Sequence, residues 1–372
     1  MLQLLLGGSG SGKTTLLYQR IRARAEKGEK SILLVPEQFT SSTEGRIYRE
    51  LGDALSGMVE SFSFTSLAEK ILSTEGGAAV QTLSDAGRAV LVRRALEELQ
   101  DNVHYYHRHR RSAAFCQMAA QTIDELKSAG LSGQQLAQLA GACGAESGKL
   151  SELALIFQGY ETLLARSGMD PSDRLELAGA RLEEALARHS LPEFLRDRAV
   201  FIDEFDTFNA PKKRLLGAML AALPSVTVAL CDDGAPLLPG DLSLFSGAKQ
   251  VAAQLRQLAR KNGAEVAVPQ LLRKDLRHRN APGLAAVAEL LETGSCTADA
   301  PAGEVRLFAA PSREEEARAA AGAIRRLMRQ GVRCGKIAVV CRDIAKYRAA
   351  VRYEFRMAEI PLYCDEPTTP EF

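Results

Sequence analysis

Short apolar runs alternate along this chain with longer stretches in which leucine and alanine recur every three or four residues. Leu2–Leu6, Ser31–Val35, Ala199–Ile202 and Val226–Leu230 are each about one strand long and apolar at successive positions, the pattern of a strand buried on both faces. Met58–Phe62 and Glu265–Val268 predict two further, weaker strands. Between them the spacing predicts helices over Thr14–Lys27, from Thr40 or Ser41 to about Leu55, and over Thr65–Ser73, Pro211–Leu223 and Ser246–Lys261. Strand followed by helix, repeated, predicts an α/β fold with a parallel sheet and crossover helices.

One block breaks the alternation. From Leu83 to Ser190 no strand pattern occurs, and Leu91, Ala95 and Leu99, then Ile156, Tyr160, Leu163 and Leu164, then Leu175, Leu182 and Leu186 recur at helical spacing. Gly130 and Gly168 supply stops, and Ser132 with Gln135 forms a capping box. The expected organisation is therefore a sheet domain begun in residues 1–75, interrupted by an all-helical insertion over 76–195 and resumed over 196–293. A Gly/Ala/Pro-rich linker is expected at 294–303, and 304–372 reads as the start of a second α/β domain. Its expected strands are Glu304–Phe308 and Lys336–Cys341, and its helices begin at Ser312, capped with Glu315, and at Ile344. Two strands and two helices bury a sheet poorly, so the natural protein is expected to continue.

The first strand feeds the densest chemistry in the chain, Gly7-Gly8-Ser9-Gly10-Ser11-Gly12-Lys13-Thr14-Thr15. The spacing Gly7-x-x-x-x-Gly12-Lys13-Thr14 is a complete phosphate-loop pattern in its proper strand-to-helix setting. Glycines let consecutive backbone N–H groups turn inward around a phosphate, and the helix amino end adds partial positive charge. Lys13 is the expected phosphate-binding cation, and the Thr14 hydroxyl an expected Mg²⁺ ligand alongside ATP. Asp203 and Glu204 close the strand Val200-Phe201-Ile202, where an aspartate can hold magnesium and a glutamate can polarise water. Asp206 is the fallback for either role. Cys231-Asp232-Asp233 ends the next strand on the same edge, read as turn chemistry at Asp-Asp-Gly with a sensing role as the alternative.

Composition narrows the class. Apolar content of 46% and charged content of 25% are ordinary for a globular protein, and the net charge of +1 provides no global field for nucleic acid. Any such contact has to come from local stripes. One is His104-Tyr105-Tyr106-His107-Arg108-His109-Arg110-Arg111, read as a solvated loop or a base-stacking, phosphate-holding one; a second runs from Arg333 to Arg356. The seven cysteines stand singly, without a Cys-x-x-Cys pair, which argues against zinc and disulfides and for reduced thiols in a cytoplasm. No apolar segment reaches the roughly 20 residues of a membrane span, and no signal peptide is evident.

These residues carry a family resemblance. Gly7–Thr15, then Val35-Pro36-Glu37-Gln38-Phe39-Thr40, then Ser61-Phe62-Ser63-Phe64-Thr65, resemble the opening motifs of the AddB subunits of AddAB helicase–nucleases. Tyr160-Glu161 with Asp170, Phe201-Ile202-Asp203, and Lys336–Arg342 with Tyr347 follow in that family's order. The resemblance implies a superfamily 1 helicase fold: a RecA-like ATP-binding domain, a helical insertion and a second RecA-like domain only begun here. It implies Mg-ATP held by Gly10, Gly12, Lys13, Thr14 and Asp203, and single-stranded DNA crossing near Phe39, Ser61, Phe62 and Thr65. Double-strand-break processing at duplex ends with an AddA-type partner is implied as well. The family's nuclease domain and iron–sulfur cysteines would lie beyond residue 372, as would an arginine finger for fast turnover. Glu204 stands where the family often has glycine, and no glutamine follows Asp232-Asp233. A DNA-binding scaffold with a vestigial nucleotide site is the competing reading.

Overall fold

The computed structural model describes residues 1–79, 81–144, 147–295 and 305–364. The chain divides into two units, Met1–Ala298 and Asp299–Phe372.

The first unit opens with β1 (Leu2–Gly7), α1 (Lys13–Ala25), β2 (Ser31–Leu34), α2 (Thr40–Leu51), α3 (Asp53–Ser56), β3 (Val59–Phe62) and α4 (Phe64–Glu75). Five helices follow: α5 (Asp85–Glu98), α6 (Ala113–Ser128), α7 (Gly133–Ala140), α8 (Ser147–Ser167) and α9 (Pro171–Ala187). The sheet then resumes with β4 (Ala199–Ile202), α10 (Ala210–Ala222), β5 (Ser225–Cys231), α11 (Ser246–Lys261), β6 (Gln270–Leu272) and α12 (Pro282–Thr293). All six strands are parallel, in the order β3-β2-β4-β5-β1-β6. This is the expected α/β, RecA-like sheet with helices inserted between β3 and β4.

Why the strands read as continuous apolar runs is visible in their packing. Leu2, Leu4 and Leu6 of β1, Ile32 and Leu34 of β2, Val200 and Ile202 of β4 and Val226, Val228 and Leu230 of β5 face one core, shared with α4, α9, α10 and α11. The alternate positions Leu5, Leu33, Phe201 and Ala229 face the other, filled by Leu17 and Ile21 of α1 and Ile47 and Leu51 of α2. Both faces are covered, as a parallel sheet requires.

The inserted helices split their loyalties. Leu175, Ala178 and Leu182 of α9 belong to the sheet's own core, whereas α5, α6 and α8 close a separate core around Val92, Ala120, Phe157 and Tyr160. A polar clasp joins the two. Tyr160 donates to Asp170 at 2.6 Å, and Lys127 binds Asp170 and Asp173, each at 2.8 Å, at the amino end of α9. Burial, then the bond to Asp170, pushes the Tyr160 phenol up, so it stays a donor.

Three strand expectations fail, one at the first unit's last strand and two in the second unit. Glu265–Val268 makes only an isolated bridge, Leu2 with Val266, and the sixth strand forms at Gln270–Leu272, after Pro269. The second unit packs α13 (Arg313–Arg329) against α14 (Ile344–Met357) through Ala317, Ala321, Ile324, Val351 and Phe355. Among its described residues no strand forms: 305–310 and 337–341 have no ladder partner, and Leu307 and Val340 stand in solvent at 100% and 91% exposure. A strand's apolar pattern needs a neighbour to bond to, and none is present among the described residues. Glu304 and most of the expected linker, 296–303, lie outside the described residues.

Candidate nucleotide site

β1 ends at Gly7, paired with Cys231 of β5 and Leu272 of β6, so the loop that follows emerges at the carboxyl edge of the sheet. Gly10 and Gly12 take φ of +78° and +91°, the left-handed region where a side chain is strained. A Cβ on Gly10 would lie 2.6 Å from the Cβ of Arg277, so the glycine also admits a neighbouring chain. Gly12 caps α1 without a side-chain hydrogen bond, and the first turn carries no acid. The helix therefore presents its amino end and partial positive charge uncompensated, which suits an anion. Thr15 is exposed in that first turn.

Lys13 folds back over the loop and donates to Gly7 O at 2.7 Å and Gly8 O at 2.8 Å. Burial pulls its pKa down, against the opposing pull of nearby Cys231 and Asp203. Thr14 hydrogen bonds to Asp203, which extends β4 by donating its N–H to Leu34 O at 3.1 Å. Glu204 donates its N–H to Asp203 Oδ1 at 3.0 Å and has a φ of +64°, unusual for a residue with a side chain. Burial raises the Asp203 carboxyl despite the Thr14 and Glu204 bonds. Partial burial and the adjacent Asp203 raise Glu204 as well. Two acids with raised pKa values beside a hydroxyl are poised for a cation that would lower both.

A cavity of about 260 Å³ opens on this side, lined by Thr14, Tyr18, Phe39, Arg46, Asp203 and Glu204 among others. Arg46 from α2 lies 4.8 Å over the Tyr18 ring. Burial, opposed by Arg46, pushes the Tyr18 phenol up to about 12. On the opposite side the segment after β6 is seated on the loop. Leu276 donates its N–H to Gly10 O at 3.0 Å, and Arg277 donates from Nη1 to Ser9 Oγ at 3.1 Å. Asp275 fixes that segment by accepting from the N–H groups of Arg277 and His278 at 3.0 and 3.1 Å. A second cavity of about 350 Å³ lies there, lined by Gly8, Ser9, Ser11, Asp232, Lys274 and Glu292 among others. The Ser11 hydroxyl is buried and has no hydrogen-bond partner. An orphaned hydroxyl, a glycine cradle and an uncapped helix end together fit a phosphate chain, and Thr14 with Asp203 fits its divalent cation.

The structure thus brings Gly7–Thr14 together with Asp203 and Glu204. It leaves Asp206 exposed, and it spends Asp232 and Asp233 on turn bonds to the N–H groups of Gly234 and Ala235 at 2.7 and 2.8 Å. The four expected DNA contacts are placed unevenly. Thr65 is exposed, Phe39 half-buried at the start of α2, Ser61 paired opposite Leu33, and Phe62 turned toward Phe194 with ring centres 6.5 Å apart. Sequence reasoning missed Tyr18, Arg46, Arg277 and Glu292. A cluster of charge immediately after a strand, Arg273-Lys274-Asp275, was the signal that could have found Arg277, since ligands gather at carboxyl ends of such strands.

Comparison with known proteins is consistent with this geometry. Proteins named as the B subunits of ATP-dependent helicase/deoxyribonucleases are similar along nearly all of the chain. The one from Desulforudis audaxviator is 34% identical over 378 residues, covering 98% of this chain and 32% of the relative. Those from Symbiobacterium thermophilum and Moorella thermoacetica are each 32% identical, covering 99% and 98% of this chain and 32% of each relative. The chain therefore spans about a third of the length of the relatives it matches. The family described as "ADDB, N-terminal" matches residues 4–288, from inside β1 to within α12, and on that match the chain belongs to the AddB amino-terminal family.

Proposed function

We propose that this chain is the nucleotide-binding, helicase-like region of an AddB-type subunit that processes DNA double-strand breaks, binding Mg-ATP and single-stranded DNA. The observation that carries the reading is the meeting of Lys13 and Thr14 with Asp203 and Glu204, residues some 190 positions apart, at one edge of one sheet. The names of the relatives, which make them parts of ATP-dependent helicase/deoxyribonucleases, support the broader assignment. An AddA-type partner, duplex ends as substrate and a cytoplasmic location belong to the same proposal.

In this reading the backbone N–H groups from Gly8 to Thr15 receive the phosphates. Lys13 would exchange the carbonyls of Gly7 and Gly8 for phosphate oxygens, and Thr14 and Asp203 would hold the metal. A bound magnesium would supply neutralisation of charge on the phosphates. Glu204 orients and polarises water, and Arg277, already on the loop, is a cation within the chain itself that can reach phosphate oxygens. Full turnover still calls for a further arginine, so slow hydrolysis is expected.

The vestigial-site reading has one observation in its favour: Lys13 is already satisfied by its own loop. Titration with a fluorescent ATP analogue, with and without Mg²⁺, separates the two. The expected result is saturable, Mg²⁺-dependent binding that Lys13→Ala weakens by about 10- to 150-fold, since hydrogen bonds to a charged group contribute roughly 1.5–3 kcal/mol. Absence of such binding in the wild type, or its survival in Lys13→Ala, removes the proposal.

A further inference from the structure

The histidine- and arginine-rich stretch between α5 and α6 is a built surface rather than a loose loop. Glu152 of α8 reaches under it and accepts hydrogen bonds from the backbone N–H groups of His104, Tyr105 and Tyr106 at 2.8, 2.8 and 3.1 Å. Burial alone would raise the Glu152 carboxyl, but these bonds outweigh it and hold the carboxyl below its ordinary range. An aromatic chain locks the rest. Tyr105 meets Tyr106 edge-on with centroids 5.1 Å apart, Tyr106 packs on Phe115 at 5.3 Å, and His109 on Phe115 at 5.8 Å. Tyr105 is nevertheless 56% exposed, with Lys149 of α8 5.3 Å from its ring centre.

The arginine charge of this stretch is unspent. Arg108, Arg110 and Arg111 form no ion pair among the described residues, whereas the nearby Arg93 and Arg94 are matched to Glu97 and Glu98. From Asn102 to Ile123 the sequence holds no Asp or Glu, and the carboxylate beneath, Glu152, is occupied by backbone. A single-stranded nucleic acid matches both features: a phosphate chain for the guanidinium groups and base faces for an exposed, preorganised tyrosine.

We infer that the Tyr105–Arg111 surface of the inserted helices is a single-stranded nucleic-acid contact, with Arg108, Arg110 and Arg111 on phosphates and Tyr105 under a base. It lies on different elements from Phe39 and Thr65 and goes beyond the nucleotide reading, on which it does not rest.

The test is titration of a fluorescein-labelled oligothymidylate into the full chain over a range of salt concentrations, with circular dichroism as the check on folding. Replacing Arg108, Arg110 and Arg111 together by alanine should lower the slope of log affinity against log salt by about 2, at roughly 0.7 per phosphate contact on a single strand. The corresponding triple lysine variant should keep the slope, because point charges suffice. Tyr105→Ala should weaken binding about 5- to 150-fold with the salt slope unchanged, the range found for loss of one stacked base. Unchanged affinity and slope in the folded triple alanine variant overturn the inference. So does a loss of binding confined to Phe39→Ala, which would leave the edge-of-sheet DNA contact standing. A wild-type chain that binds no oligonucleotide overturns both DNA contacts, while nucleotide binding by Lys13→Ala bears on the nucleotide site alone.

Discussion

Gly10 offers a way to ask whether the segment after β6 is seated on the phosphate loop in solution, because the structure also contains a matched control. Gly10 and Gly28 have nearly the same φ, +78° and +76°, and both lie in the first unit. A methyl group at Gly28 meets nothing within 4 Å, whereas one at Gly10 meets the Cβ of Arg277 at 2.6 Å and Asp275 Oδ1 at 3.0 Å. Gly28→Ala therefore isolates the left-handed penalty, about 1–2 kcal/mol. Gly10→Ala adds a steric term against an atom fixed to the backbone of the segment, about 1–3 kcal/mol, for a total of about 2–5 kcal/mol. The segment has one cheaper escape, to lift off and forfeit the Leu276 N–H bond to Gly10 O, which keeps the total nearer the lower figure. Urea unfolding followed by circular dichroism measures both variants, and titration of the fluorescent ATP analogue reports on the loop. Equal destabilisation of the two variants, within about 0.5 kcal/mol, would refute the seated segment.

Two other outcomes follow from charges around the loop. A Cβ at Gly8 would lie 2.9 Å from Glu292 Oε1, and Glu292 also acts electrostatically on Lys13. Glu292→Gln is expected to tighten nucleotide binding about fivefold, from roughly 1 kcal/mol for one unit charge a few ångströms away through solvent; unchanged or weaker binding argues against that carboxylate facing the phosphates. Asp203 has its carboxyl raised above its ordinary 3.8, chiefly by burial, so Mg²⁺-dependent binding should fade on acidification at a higher pH than an ordinary aspartate would give. The stability term has the opposite direction: between 3.8 and the raised value the folded chain keeps a proton the unfolded chain has released, so this residue makes stability fall as pH rises through that window. Asp203→Asn should remove that slope and the Mg²⁺ dependence together, as melting curves across pH would report.

What the sequence made legible is what is local. Leu2–Gly7 announces a strand covered on both faces because all of its positions but Gln3 are buried and apolar or glycine, and Gly7–Thr14 carries its geometry in its own glycines. Asp203 was legible because an apolar strand ending in acids puts them at the carboxyl edge, wherever that strand sits in the order. Arg46, Tyr18 and Arg277 were not. Tyr18 sits on the buried face of α1 and reads as core, Arg46 lies on α2 and Arg277 in the segment after β6, and only the sheet order, with β2 beside β4 and β6 beside β1, carries them to the site. The sixth strand slipped past Pro269 for a related reason: pairing with Leu5–Gly7 of β1 selects Gln270–Leu272, a preference held by the partner strand and invisible in the segment itself. Lys336–Cys341 has the strongest strand pattern of the second unit yet forms no ladder, because a strand is a property of two segments.

The position of β5 accounts for why this site needs both a reaching side chain and an empty loop. β5 lies between β1 and β4, so the phosphate loop and the acid pair spring from strands two steps apart, about 10 Å at roughly 4.8 Å per step. A direct contact between Gly7 and Asp203 is therefore excluded by the backbone itself. The gap is crossed by α1, whose first turn carries Thr14 to Asp203 while Lys13 turns back over the loop. Between β1 and β4, β5 ends in Cys231, beside Lys13, and the chain then turns away through Asp232, whose N–H is held by Gly7 O at 3.2 Å. A helix amino end on one side and two carboxyls of raised pKa on the other disfavour a lone anion near the acids and a lone cation near the helix. They suit an anion and a cation bound together, which is the form in which a nucleoside triphosphate and its metal arrive.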